Sequence, residues 1–171
     1  MGAAQRDESQ SLELQRHPDL LLVMNTPKGN IVPSRGVFAS SDIPRGVIID
    51  VSPVLVLNPN EADNHLKHTQ LYHYTYNWPF RDASSNLQCV TQAVVLGLGS
   101  MFNHSTLDQN VGWIRDVERQ VVTYTTLRNV KKGEELCISY GTSLTFQDVD
   151  ASASVATNID GWDMLQHLDI D

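Results

Sequence analysis

Two polar segments set among apolar residues are where this sequence could do chemistry. The run Gly99-Ser100-Met101-Phe102-Asn103-His104-Ser105 puts an amide, an imidazole and a hydroxyl in consecutive positions behind an apolar pair. The run Glu135-Leu136-Cys137-Ile138-Ser139-Tyr140-Gly141 supplies a carboxylate and a phenol. These are hydrogen-bonding groups. Met alone, Tyr140 also reads as a strand tyrosine with its ring in the core, and His104 as a buried imidazole bonded to backbone. Tyr72, Tyr74 and Tyr76 recur at period two, which suits one packed face of a strand as well as the lining of a site. His65 and His68 are three apart with no third ligand in view, so they read as a solvated helix face and no metal site is expected. Cys89 and Cys137 are too few for a disulfide framework or a four-cysteine zinc site, and read as buried free thiols in a reducing compartment.

The elements that must position these groups are short. Residues 1–15 are polar and small, and read as a mobile tail. Residues 20–24 form a short apolar run, a buried strand or the strand that leads into the domain. Pro27, Lys28, Gly29 and Pro33 punctuate a loop. Residues 36–39 read as a strand, Ile43-Pro44-Arg45-Gly46 as a turn, and residues 47–57 as a second strand rich in β-branched side chains. Pro53 within it points to an edge or a bulge. Asn58 as cap and Pro59 in the first turn open a helix over roughly 59–72. Residues 80–86 are a polar loop, and residues 88–98 a strand running into a helical turn. Residues 111–117 and 121–127 make a hairpin about Glu118-Arg119-Gln120, with Phe102 and Trp113 in the core. Residues 136–140 are the last core strand. Many short strands with one or two helices make the chain mainly β, built from several small sheets.

A chain of 171 residues is long enough for one domain with its own core. Neither a secretory run nor an apolar stretch of membrane length is present, so a soluble, intracellular protein is expected, with no membrane partner. The net charge is −8, and residues 141–171 contribute −6 of it through six aspartates without a lysine or arginine. That balance disfavours direct nucleic-acid binding and favours a basic polypeptide partner. Residues 150–157 read as a flexible linker. Trp162, Leu165 and Leu168, with Met164 and Ile170, then suit a short amphipathic helix.

Asn-His-Ser after an apolar pair, followed by Glu-Leu-x-x-x-Tyr-Gly, resembles the paired signature of SET-domain protein-lysine methyltransferases. Ser34-Arg35-Gly36-Val37-Phe38-Ala39, leading into Ile43-Pro44-Arg45-Gly46, is similar to that family's opening strand-turn-strand. The three segments stand in the family's order, and their wording is closest to the small, stand-alone fungal SET proteins. The resemblance implies a β-clip-like SET fold with a knot-like C-terminal crossing over residues 16–146, followed by an acidic tail at 147–171. It implies S-adenosylmethionine as cofactor and Tyr140 as the catalytic residue. Arg35, Gly36, Phe38, Tyr74, Asn103 and His104 are carried over as cofactor contacts, with Tyr72 and Tyr76 as alternates for Tyr74. The substrate channel would use Tyr140, Ile138, Tyr76, Phe146 and Trp162, the last two in a tail that could close it as a lid. There are departures: Ser34 replaces the family's first glycine, Ser100-Met101-Phe102 its Arg-Phe-Ile, and Thr106-Leu107-Asp108-Gln109-Asn110 is one residue longer and lacks the proline.

Methyl transfer from a sulfonium to an amine needs alignment, exclusion of water and a neutral amine more than acid–base machinery. Burial beside a cationic sulfonium disfavours the ammonium by desolvation and by like charge. Ile138, where relatives often have Phe or Tyr, leaves room for mono- to trimethylation. The implied substrate is a histone tail, with the lysine 37 region of histone H3 the best guess. A non-histone substrate and a non-catalytic peptide-binding module are the alternatives. A nuclear, chromatin-bound protein, also present in the cytoplasm, and a homodimer complete these expectations.

Overall fold

The computed structural model describes residues 14–25, 34–81 and 88–140. Phe146, Trp162 and the remainder of the expected acidic tail lie outside the described residues, as does most of the expected N-terminal tail. Strand β1 (Leu20–Asn25) pairs antiparallel with β2 (Ser34–Ala39), placing Leu20 opposite Ala39. β1 is the leading strand but not a buried one: Leu21, Leu22, Val23 and Met24 are all exposed. On its other edge β2 meets the run before the second signature segment. Leu136 N–H donates to the Val37 carbonyl at 2.7 Å and Ala39 N–H to the Glu134 carbonyl at 3.0 Å.

A five-stranded sheet forms the body. It contains β3 (Ile48–Val56), β4 (Thr75–Arg81), β5 (Gln88–Val95), β7 (Val111–Asp116) and β8 (Val121–Thr126), in the spatial order β4-β5-β3-β8-β7. β3 is therefore central, and its proline is not on an edge strand; the ladder's irregularity falls between Ile48 and Asp50 instead. Pro53 is tolerated because it sits where one side of β3 changes partner. Val51 N–H donates to the Gln15 carbonyl, whereas the Pro53 carbonyl accepts from Leu96 N–H. The missing N–H falls in the gap between those two neighbours. The β7–β8 hairpin forms as expected, and Gln120 takes a positive φ of 55° in its turn.

The expected helix breaks early. Asn58 caps it, its Oδ1 accepting from Asn60 N–H, and Pro59 begins it, but α1 covers only Pro59–Asn64. Two 3₁₀ turns follow, Leu66–His68 and Gln70–Tyr74, separated by Thr69 in an extended conformation. Asp63, Asn64, His65 and Thr69 are weak helix formers, and only Ala62 and Leu66 are buried to hold the segment down. As a result Tyr72 and Tyr74 lie on a 3₁₀ turn and Tyr76 on β4, so the three tyrosines do not share one strand face. His65 and His68 are both exposed, but not on one continuous helix. Cys137 is buried and free; Cys89 is free but exposed, because β5 begins beyond the cover of the core.

The sheet's two outer strands face each other through side chains. The Tyr76 ring of β4 meets the Trp113 ring of β7 edge-on at 5.2 Å. Arg115 of β7 donates to the Asn77 carbonyl of β4 at 2.6 Å and lies over both Trp78 and Trp113. The sheet is curled until its ends touch. Inside are Val37, Ile43, Ile49, Trp78, Phe102, Val122, Tyr124, Leu136 and Ile138 in one continuous cluster. Phe102, Leu136 and Ile138 come from the two signature segments, so those segments are anchored in the main core.

A polar chain runs through this core beneath the first signature segment. Arg16 Nε donates to Asp50 Oδ1 at 3.4 Å, and the Ser52 hydroxyl donates to Asp50 Oδ2. Ser52 Oγ accepts from Gly99 N–H at 3.2 Å, and the Gly99 carbonyl lies 3.2 Å from the hydroxyls of both Tyr76 and Tyr124. Gly99 has no room for a side chain. A Cβ there would lie 2.4 Å from Val95 and 2.6 Å from the Tyr124 hydroxyl.

Asp50 is 3% exposed, and burial raises its pKa above the ordinary 3.8 against the opposing pull of Ser52 and Arg16. A carboxyl whose pKa is raised by folding favours the folded state below its unfolded pKa, and that advantage is lost as pH rises through the folded value. Asp50→Asn has no such titration. The stability of the native protein relative to Asp50→Asn is therefore expected to fall as pH rises above the ordinary carboxylate range, measured as the difference in thermal midpoints; a constant difference would contradict it.

Candidate active site

The two signature segments meet in a two-stranded parallel ladder. β6 (Asn103–His104) pairs with β9 (Cys137–Ile138), Asn103 opposite Cys137 and His104 opposite Ile138. β9 is shorter than the expected strand at 136–140, since the chain turns out of the ladder after Ile138. The loop that follows β6 then grips β9 from its other edge. Ser105 N–H donates to the Ile138 carbonyl at 3.1 Å on one side. On the other, Asn110 N–H donates to the Cys137 carbonyl at 3.2 Å and Asn110 Oδ1 accepts from Cys137 N–H at 2.8 Å. Asn110 is wholly buried, and its Nδ2 also donates to the Glu135 carbonyl. β9 is thus threaded through the loop spanning residues 103–110.

This crossing delivers Tyr140. Its hydroxyl donates to the Phe102 carbonyl at 2.7 Å, and its backbone N–H donates to His104 Nδ1 at 3.1 Å. The two rings lie 5.2 Å apart. Because His104 Nδ1 is an acceptor, the imidazole proton belongs on Nε2, which is 3.2 Å from Thr106 Oγ1. Phe102 is 1% exposed and packs on Tyr124, so the carbonyl that receives the phenol is fixed from below. Burial of its hydroxyl end is the main cause raising the Tyr140 pKa above 10.0, with the fields of Tyr76, Cys137, Tyr74 and Glu135 adding to it. The same cause pushes Tyr76 up to about 12. Neither phenol ionises near neutrality, so Tyr140 offers an oriented dipole and not a phenolate base.

A second cluster adjoins the first through Asn103. Asn103 Nδ2 donates to Glu135 Oε1 at 2.7 Å, leaving its Oδ1 as an acceptor. Gly36 lies against both: a Cβ there would be 2.3 Å from Glu135 Oε1, 3.1 Å from Asn103 Nδ2 and 3.0 Å from the Phe38 ring. Only glycine fits here, because these three side chains already fill the space that a Cβ would need. Arg35, next in the strand, is exposed and reaches the Tyr74 hydroxyl at 3.5 Å. Acceptors on one side and a guanidinium on the other suit the ammonium and carboxylate of an amino-acid moiety.

Apart from Phe146 and Trp162, which lie outside the described residues, the expected site residues lie about one crossing, though in varied roles. Arg35, Gly36, Phe38, Tyr74 and Asn103 flank it. His104 spends its ring nitrogens on Tyr140 and Thr106 and holds the phenol in place. Ile138 is wholly buried in the core, two residues before Tyr140. Tyr76 supports the Gly99 turn. Sequence reasoning assigned no role to three residues. Trp113, read as core, donates from Nε1 to the Ser139 carbonyl at 3.0 Å, and Asn110 and Glu135 act as described above. Their signal was present, since Asn110 and Glu135 lie inside or beside the motifs, but a motif does not tell a framing residue from a binding one. Among the described residues no three His, Cys, Asp or Glu side chains converge on a point where a metal could bind. An open hollow lined by Pro79, Phe80, Cys89 and Val117 shares no residue with the crossing.

Gly36→Ala must drive the Glu135 side chain off Asn103. It is expected to cost about 1–3 kcal/mol, the range for overpacking a filled site. The cost should be smaller in a Glu135→Ala background, where the obstructing oxygens are gone; equal costs in urea melts of both backgrounds would refute the contact.

Comparison with known proteins agrees with this geometry. The SET domain family matches residues 34–141, from β2 to just past Tyr140. Over 120 residues the chain is 44% identical to the histone-lysine N-methyltransferase of Schizosaccharomyces pombe described as H3 lysine-37 specific, covering 70% of this chain and 75% of that protein. Among solved structures, CpSET8 from Cryptosporidium superposes with a TM-score of 0.51 at 20% identity, over 74% of this chain and 59% of its own, a likeness of fold. A threaded β9, a phenol held at the crossing and a match across that whole region lead to one conclusion: the chain is a member of the SET domain family.

Proposed function

We propose that this protein is an S-adenosylmethionine-dependent protein-lysine N-methyltransferase acting on the tail of histone H3 at lysine 37. The observation that carries the reading is the Tyr140 hydroxyl, held 2.7 Å from the Phe102 carbonyl where β6 and β9 cross. With its proton committed to that carbonyl, the phenol is held in one orientation at the crossing. The S. pombe relative, named for H3 lysine 37, supports the choice of substrate. The overall acidity of the chain, −8, suits a lysine- and arginine-rich tail.

S-adenosylmethionine supplies the methyl group. Gly36, Asn103 and Arg35 would bind its amino-acid end, and Phe38 and Tyr74 would flank it. The protein's remaining tasks are to orient the amine and exclude water. A lysine pKa of about 10.4 leaves on the order of one amine in a thousand neutral near pH 7, so the reactive form is scarce until pH rises or burial favours it. Tyr140 serves as an oriented dipole. Ile138 lacks the hydroxyl and bulk that would restrict the product, so mono-, di- and trimethyl-lysine all form. Action on chromatin in the nucleus, and a homodimer in which one subunit completes the channel of the other, belong to the same reading.

Radiolabelled methyl transfer to recombinant histone H3 tests this. Label is expected on the native histone and absent when lysine 37 is replaced by arginine. Tyr140→Phe is expected to lose about 100-fold or more in kcat, the scale on which one oriented polar group counts in a site, with cofactor affinity retained. Label that survives both changes would end the proposal, and a single-chain mass by light scattering would remove the dimer.

The pH profile follows from the same chemistry. With neutral lysine as nucleophile, kcat/KM is expected to rise between pH 7 and pH 9. No falling limb from Tyr140 should appear in that range, because burial holds its pKa above the ordinary 10.0. Stopped-time assays across that range would show a decline instead if Tyr140 ionised there.

A further inference from the structure

The peptide that leads into Tyr140 lies outside the ladder, since β9 ends at Ile138. Both of its polar groups are nevertheless engaged by side chains. The Ser139 carbonyl accepts from Trp113 Nε1 at 3.0 Å, and the Tyr140 N–H donates to His104 Nδ1 at 3.1 Å. A planar trans peptide points these two groups in opposite directions, so bonds on both resist rocking of the plane. The setting of that plane fixes where the Tyr140 side chain departs from the backbone. The two clamps have different origins. His104 belongs to the crossing itself, whereas Trp113 belongs to β7 of the five-stranded sheet. The indole is itself held, with the Tyr76 ring edge-on at 5.2 Å and the Arg115 guanidinium 5.4 Å from its centre. Pairing the carbonyl does not require this arrangement. Ser139 is half-buried and Tyr140 is 40% exposed, so water is at hand to satisfy an acceptor there. Only a fixed donor gives it a direction.

We propose that Trp113 is a positioning residue for methyl transfer, whose indole N–H sets the Ser139–Tyr140 peptide and through it the phenol of Tyr140. The inference rests on the functional reading above and deepens it. Tyr140 is then held at both ends, at its hydroxyl by the Phe102 carbonyl and at its root by Trp113 and His104. Of these three anchors Trp113 alone comes from the five-stranded sheet, so it ties the phenol directly to the body of the protein. As mere packing, Trp113 would matter through its ring. As a positioning residue it matters through one proton.

Two substitutions separate the proton from the ring. Trp113→Phe keeps an aromatic ring and removes the donor. Trp113→His loses the fused benzene ring but keeps a five-membered ring whose Nε2 takes the place of the indole Nε1. Methyl transfer to recombinant histone H3 at about pH 8.5, where an ordinary imidazole is neutral, gives kcat, and thermal melts give stability. Trp113→Phe is expected to lower kcat by about tenfold or more, within the scale on which misplacing a reacting group counts. Its affinity for S-adenosylmethionine, read by calorimetry, should not change. Trp113→His is expected to recover most of that kcat while melting below Trp113→Phe. In a Tyr140→Phe background, where no hydroxyl remains to be positioned, Trp113→Phe should cost about twofold or less. Unchanged kcat in Trp113→Phe, kcat that follows melting point across the two variants, or an undiminished cost in the Tyr140→Phe background would each overturn the assignment. In the native protein, with no substitution made, the Trp113 indole proton should exchange with solvent more slowly than that of free indole. An equal rate would overturn the assignment as well. Absence of label with the native protein would instead refute the methyltransferase reading.

Discussion

The structure depends on the hydrogen bonding of two residues, Cys137 and Ile138. Their backbone groups are buried and must be paired. Both edges are satisfied by one loop: the Ile138 carbonyl by Ser105 N–H, and both backbone groups of Cys137 by Asn110. A strand served on both edges by one loop cannot leave its place without leaving several polar groups unpaired. Tyr140 is two residues beyond, and its backbone is tied to His104 of the same loop. The position of the phenol is thus a consequence of ladder geometry before any contact of its own.

The same crossing is supported from the core. The turn carrying Phe102 is held from beneath at Gly99, by Ser52 at its N–H and by two tyrosine hydroxyls at its carbonyl. Asp50 terminates that chain in the interior, with Arg16 reaching it from the surface. Apolar packing of Phe102, Leu136 and Ile138 makes the site and the body one unit. At Gly36, by contrast, the volume that a side chain would occupy is taken by Glu135, Phe38 and Asn103.

Much of this was legible in the sequence where chemistry and local geometry coincide. The Asn58-Pro59 helix start, the β7–β8 hairpin and the motif order could all be read, because caps, turns and signatures are written in adjacent residues. What failed was decided at a distance. Pro53 reads as an edge or bulge residue by its missing donor, yet sits in the central strand, away from the irregularity at Ile48–Asp50, because β3 changes neighbours there. The apolar run of β1 reads as a buried strand or as the entry strand, and it is the latter: its sheet has only two strands, leaving Leu22 half exposed. The expected long helix lacked a buried stripe beyond Ala62 and Leu66. Asn110 shows a similar limit within the site. Its residue type was visible, but its three bonds to the second segment are set by threading, which no local pattern encodes.

The curled sheet is joined differently at its ends than within its body. Between neighbouring strands, slippage is quantised: a shift that keeps each side chain on its own face must move two residues, roughly 7 Å. Between β4 and β7 the joint is a pair of aromatic rings and one guanidinium, and nothing there enforces such steps. Rings can slide over one another by fractions of an ångström while staying in contact. Tyr76 and Trp113 form that joint, and Trp113 also holds the Ser139 carbonyl, so a side-chain seam lies beside a hydrogen-bonded crossing. A ring substitution at the seam can therefore shift the support under Ser139 by less than one residue step, without re-registering a single strand.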